Sequence, residues 1–312
     1  LVVGGFFQSV KQLLSRIASN LQLDISTSRP EYLSFFETSS VDVNTAKMTT
    51  VSLSRHDINV LEKIKDPESN PAAGVVIDSA LPRDPHVVDH GVYERVMERE
   101  RTIIRTLQAI ETQLISFQSE EDTDKTIESY KTCVSDFGNL ISDYPLYASA
   151  RNNRAQIMRR LYGDAMLLNY TSTMPMPLIP QPEQAEKRKA AMETLEDMDT
   201  AIRLLTPPLP STPMSAQSAR TLSMAHTQRA AIYLRTAKLL SDRQLDIDDS
   251  RPEASWSRVE FEEAASRDLA LGGRYGNQIA KALAVSVNPT AKLCGQIVRE
   301  AMQKEYGSEF EM

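Results

Sequence analysis

Cysteine is nearly missing from these 312 residues: Cys133 and Cys294 are the only two. Two thiols make neither a disulfide framework nor a zinc ligand set, and so low a count fits a reducing compartment. Glycine is scarce at 11 residues and aromatics make up 6%, a composition that turns away from sheet-rich folds. No apolar run reaches the roughly 18–20 residues that a membrane-spanning helix needs, so no membrane association is expected. The net charge is −7, with basic residues interleaved among acids. Phosphate recognition instead clusters Lys and Arg on one face, and no nucleic-acid partner is expected. What is plentiful, namely Ala, Leu, Glu and Arg, favours helices. Composition alone points to an all-α protein.

The first residues stand apart. From Leu1 to Leu23 there is no acid, with Lys11, Arg16 and several serines among apolar residues. That is the make-up of a mitochondrial presequence, and it is equally what upstream sequence translated in error ahead of Met48 would look like. Residues 1–47 are therefore read as one of these two. Residues 48–91 are read as a short helix and an extended loop. The helix falls at Asp57–Lys65, where Ile58, Leu61 and Ile64 are spaced three apart, and the loop at Pro67–Gly91. Residues 92–312 form the helical domain.

The 16 prolines punctuate the whole chain, because a proline inside a helix loses a hydrogen bond and clashes with the preceding turn. Between them, helical periodicity predicts helices at Val92–Phe117, Asp124–Asp143, Ala148–Leu168, Glu186–Leu205, Ser218–Leu240 and Ser255–Leu271. Gly272 and Gly273 read as the cap of the last of these. Two more helices meet at Asn288-Pro289.

Internal repetition separates a solenoid from a simple bundle. Arg154-Ala155-Gln156-Ile157-Met158-Arg159-Arg160 is echoed by Arg229-Ala230-Ala231-Ile232-Tyr233-Leu234-Arg235. The partner helices echo one another as Leu195–Ala201 and Val259–Ala264, each with a large apolar residue three before an alanine. Ala155 with Ala201, and Ala230 with Ala264, would let paired helices approach closely, with Met198 and Phe261 filling the space beside them.

Tyr147-Ala148-Ser149-Ala150, then Asn152-Asn153-Arg154-Ala155-Gln156 and Gly163-Asp164, look like the first helix and turn of a tetratricopeptide unit. Phe261-Glu262-Glu263-Ala264-Ala265 resembles a second helix. With Asn288-Pro289-Thr290-Ala291-Lys292-Leu293-Cys294, the chain resembles the tetratricopeptide repeat protein 36 family over roughly Val92–Met302. A fainter match lies at Val60–Val76. Gln118–Thr126, Leu167–Gln184, Thr206–Thr221 and Ser241–Ala254 look like insertions into the family pattern. The resemblance implies a solenoid of three helix pairs with C-terminal capping helices. It also implies a protein or peptide partner: a heat-shock-protein-70-class chaperone or a tyrosine-pathway enzyme.

In such repeats the first helices line a concave groove, and some chaperone-binding relatives grip an acidic peptide terminus there with Asn, Lys and Arg. Asn153 matches the clamp asparagine, but the clamp's basic positions in the third unit fall on Met224 and Gln228. Asn153 then reads as a groove residue or an inter-repeat hydrogen bonder. The candidate peptide-binding groove comprises Asn153, Gln156, Arg160, Gln228 and Arg235.

No catalytic, cofactor or metal site is expected. His86-Val87-Val88-Asp89-His90 offers ligand-type residues without a third His or Cys nearby. Gly272-Gly273-Arg274-Tyr275-Gly276 lacks the preceding strand of a phosphate-binding turn. The expected protein is a non-catalytic, cytoplasmic binding scaffold, mitochondrial if residues 1–47 are a presequence. Two alternatives stand beside it. One is a structural subunit whose groove is filled by its own Pro67–Gly91 segment or Thr173–Pro182 loop; the other is a helical enzyme.

Overall fold

The computed structural model describes residues 74–114, 120–169 and 176–306. The chain divides into two units, Leu1–Gly74 and Val75–Met312, and the described helices all belong to the second. Residues 1–47, the helix expected at 57–65 and positions 170–175 of the Met/Pro loop lie outside the described residues.

Eight α-helices follow one another among the described residues: α1 His90–Leu114, α2 Glu120–Asp143, α3 Ala148–Tyr162, α4 Gln184–Leu205, α5 Ala216–Leu239, α6 Arg258–Arg274, α7 Gln278–Val287 and α8 Pro289–Tyr306. Each packs on the next, and α3 also touches α5. Among the described residues the chain is an all-α, tetratricopeptide-type solenoid of three helix pairs, α1/α2, α3/α4 and α5/α6, closed by α7 and α8. The strand-like pairing among the described residues is two isolated bridges, Ile77 with Met214 and Leu168 with Leu245.

The helix ends follow from local chemistry. Ser215 caps α5 by accepting from the Ser218 amide. Ser257 and Glu260 form a reciprocal capping box at α6, each satisfying a backbone donor that the first turn leaves open. α3 stops at Tyr162, well short of the expected Leu168. Gly163 takes a φ of 79° there, a left-handed conformation that glycine alone enters cheaply. Residues 165–167 are then buried in turns, and Leu168 in its bridge to Leu245.

Gly272 and Gly273 do not cap α6; they lie inside it. A Cβ on Gly272 would stand 2.7 Å from Thr227 Oγ1, and one on Gly273 2.7 Å from the Cα of Lys281. Their bare backbones are what let α5 and α7 approach α6. The helix ends beyond them at Arg274, and Gly276 follows with φ 114°.

Most of the core is one cluster that includes Phe137, Leu140, Tyr147, Leu161, Leu195, Met198, Ile232 and Phe261. Burying each such side chain is worth about 1.5–3 kcal/mol. Ala155 belongs to that cluster, whereas Ala201 packs with Ala148 and Leu222 in a smaller one. The expected Ala155–Ala201 contact is therefore replaced by Ala201 against the group around Ala148.

Buried ion pairs set the true repeat register. Arg154 of α3 donates from Nε and Nη2 to Asp197 of α4, at 2.6 and 2.9 Å. Arg229 of α5 donates from the same two nitrogens to Asp268 of α6, at 2.7 and 2.8 Å. Asp268 is thus the counterpart of Asp197, which makes Gly272 the counterpart of Ala201. The second helices repeat in this register and not in the Leu195/Val259 alignment. Both carboxylates are about 98–99% buried, so loss of either arginine would strand an acid, a change that costs about 3–5 kcal/mol. The first pair lacks this bond. Its helices are joined by Tyr130 to Glu111, and by Arg99 to Asp143 at 2.8 Å.

Candidate peptide-binding groove

The first helices of the pairs, α1, α3 and α5, carry a polar seam. Its hub is Glu100 of α1, which is buried and accepts from Tyr147 Oη at 2.6 Å, Ser149 Oγ at 2.6 Å and Asn153 Nδ2 at 2.7 Å. Burial raises its carboxyl above the ordinary glutamate value, against the pull of those three donors, and the negative charge of Asp84 adds to the rise. Burial and the Glu100 charge together push the Tyr147 phenol upward too, so it stays a donor.

One repeat further on, Gln228 stands where Asn153 stands in α3, and it also reaches back to the preceding pair. Its Nε2 donates to Asn152 Oδ1 at 2.8 Å, and its Oε1 accepts from Arg159 at 3.2 Å. Arg159 in turn holds Asp164 at 2.7 Å. Asn153 and Gln228 are both buried. The two amides do not meet each other; each ties one repeat to its predecessor, so their polar atoms are spent inside the protein.

Gln156, Arg160 and Arg235 lie nearer the surface, each half-buried. Arg160 is held by Glu111 of α1 at 3.0 Å. Gln156 keeps its side-chain oxygen enclosed without a hydrogen-bond donor, although a buried carbonyl usually has one. Of the five expected groove residues, these three are half-buried and the other two are buried.

Sequence reasoning missed Glu100, Asn152 and Arg159. Arg159 was in plain view beside Arg160 in the repeated block. Glu100, within the Glu98-Arg99-Glu100-Arg101 run, looks like one more solvated charge. Only the docking of α3 on α1 takes it out of water.

His86 and His90 do not come together as ligands. The His86 ring donates from Nε2 to the Leu204 carbonyl at 2.9 Å, and His90 is exposed, 3.9 Å from Glu94. The described part of the Pro67–Gly91 segment bonds at the α4–α5 junction, through Met214, Ser215 and Ser218.

A protein of Aspergillus fumigatus, the L-tyrosine degradation gene cluster protein hmgX, is 35% identical over 258 residues, covering 81% of this chain and 93% of that one. Tetratricopeptide repeat protein 36 homologs of Drosophila pseudoobscura pseudoobscura and Drosophila melanogaster are 24% and 23% identical, each across 81% of this chain and 96% of their own length. The chain belongs to the tetratricopeptide repeat protein 36 family. It is a divergent member, matched by no family model and no solved structure. Within the family frame, the Asn-Asn-Arg-Ala-Gln block has two faces. Asn152, Asn153 and Arg154 hold helices together, whereas Gln156 and the following Arg160 are only half-buried. No helix among the described residues is long and apolar enough to cross a membrane.

Proposed function

We propose that this protein is a non-catalytic accessory of L-tyrosine degradation that binds an enzyme of that pathway through the groove of α1, α3 and α5. The supporting observation is the 35% identity, across nearly the whole relative, to a protein named for a tyrosine-degradation gene cluster. The solenoid adds to it, since such folds present extended concave surfaces to other chains. On this reading Gln156, Arg160 and Arg235 contact the partner, while Asn153 and Gln228 hold the groove in shape. The cytoplasm is the compartment where the partner is sought.

The test is capture from lysate of the host grown on tyrosine, with the full chain as bait. The control is a Gln156→Ala, Arg160→Ala, Arg235→Ala variant whose fold is checked by circular dichroism. A tyrosine-pathway enzyme that is retained by the wild type and lost by the variant is the expected result. A heat-shock-protein-70-class chaperone as the main groove-dependent partner would replace the reading with a chaperone cofactor. Equal capture by both baits would remove the groove from it.

A further inference from the structure

The segment inserted between α5 and α6 folds back against α4, α5 and α6 and completes a cavity of about 450 Å³. That volume suits a small molecule or a single large side chain. Its polar walls are already ordered. Arg229 bridges Asp268 and Asp199, and Arg251 bridges Asp199 and Glu253, with contacts of 2.7–2.8 Å. Tyr233 Oη closes the chain by donating to Glu253 at 2.7 Å. Three acids are therefore each held by arginine.

Two groups on the lining are left over. Arg267 is exposed and makes no hydrogen bond or ion pair among the described residues. Trp256 is half-buried, and its indole N–H likewise has no acceptor among them. The indole is pinned edge-on by Tyr233 and Phe261, with ring centres 5.4 and 5.2 Å away, so its position costs no ordering when a ligand arrives. Arg267 is the cation outside those pairs, bringing the three acids and three arginines of the lining to neutrality, and the wall beside it is flat and apolar. A doubly charged phosphate would want a second free cation, whereas a carboxylate needs one.

We propose that this cleft binds a carboxylate carried on a flat apolar body, with the charge on Arg267 and the body against Trp256. The source is either a free small acid or the aromatic C-terminal residue of another chain. The cleft shares no residue with the groove, so either assignment can fail without the other.

Trp256 is the single tryptophan of the chain, and its emission reports on this cleft alone. The purified full chain is titrated with N-acetyl-phenylalanine, with the corresponding amide, and with a short peptide ending in phenylalanine. Calorimetry is run on the same samples. A saturable change with the acid, at least about tenfold weaker with the amide, is expected, since one charge-assisted bond is worth about that factor. Arg267→Ala should show the same loss with unaltered emission before ligand, and Arg267→Lys an intermediate one. Stronger binding of the peptide would make the source a chain terminus, and stronger binding of the free acid a small molecule; both support the cleft. Equal response to acid and amide, full binding by Arg267→Ala, or no signal and no heat up to roughly 10 mM would each overturn it.

Discussion

Glu100 and Asp268 are both buried acids, yet their neighbours give them opposite responses to pH. Glu100 faces three neutral donors, and desolvation holds its carboxyl above the ordinary value of 4.5. Desolvation acts on Asp268 as well, but the bonds from Arg229 and His226 outweigh it and bring that carboxyl below 3.8. The signs follow from which state binds the proton more tightly. For Glu100 it is the folded state, so its contribution to stability falls as pH rises from 4.5 through the raised folded value. For Asp268 it is the unfolded state, so its contribution is present above 3.8 and fades as pH drops toward the folded value. Glu100→Gln should thus gain on the wild type as pH climbs from about 4.5 to neutrality. Urea unfolding at a series of pH values would show it, and a pH-independent difference between the two would be the contrary result.

At the scale of the helices, the glycines divide into those a neighbour requires and those it does not. Gly273 faces the backbone of Lys281, while Gly295 in α8 has nothing within 4 Å of a Cβ. Gly273→Ala should cost about 1–3 kcal/mol through forced separation of α6 and α7, even though alanine favours a helix by about 1 kcal/mol over glycine. Gly295→Ala meets only the second effect and should strengthen α8 by up to that amount. Hydrogen exchange on both variants would separate the two. The same glycines mark where the sequence stops being legible. Proline spacing and apolar periodicity locate the helices within a few residues, except at the end of α3, because both act locally. Whether Gly272 and Gly273 end a helix or admit a neighbour depends on a chain segment that packs against them from elsewhere. The Arg–Asp register was hidden for the same reason: Asp197 and Asp268 look like ordinary surface acids until α3 and α5 bring their arginines. The repeated block pointed to α3 and α5 as equivalent helices. It could not say that Asn153 and Gln228 are buried while Gln156, Arg160 and Arg235 are only half-buried.

For the molecule as a whole, stability is graded along the solenoid. The second and third pairs hold the bidentate ion pairs and fully buried side chains such as Leu195, Met198, Ile232 and Phe261. α8 leaves Leu293, Ile297 and Val298 more than half exposed, and its tie to α6 is the Lys292–Glu262 pair at 3.2 Å. Amides of α8 should exchange by local opening well before those of α5 and α6, which should approach the global unfolding limit. Uniform protection along the chain would contradict this grading.

The close seam at Gly272 and Gly273 has a mechanical side. A load applied at the C-terminal end meets α8 first, a helix with little to hold it, and peels it away at low force. It then reaches α6 and α7, where two backbones lie nearly in contact and must slide together or not at all. α8 should therefore yield early under load and leave the helix pairs before it in place.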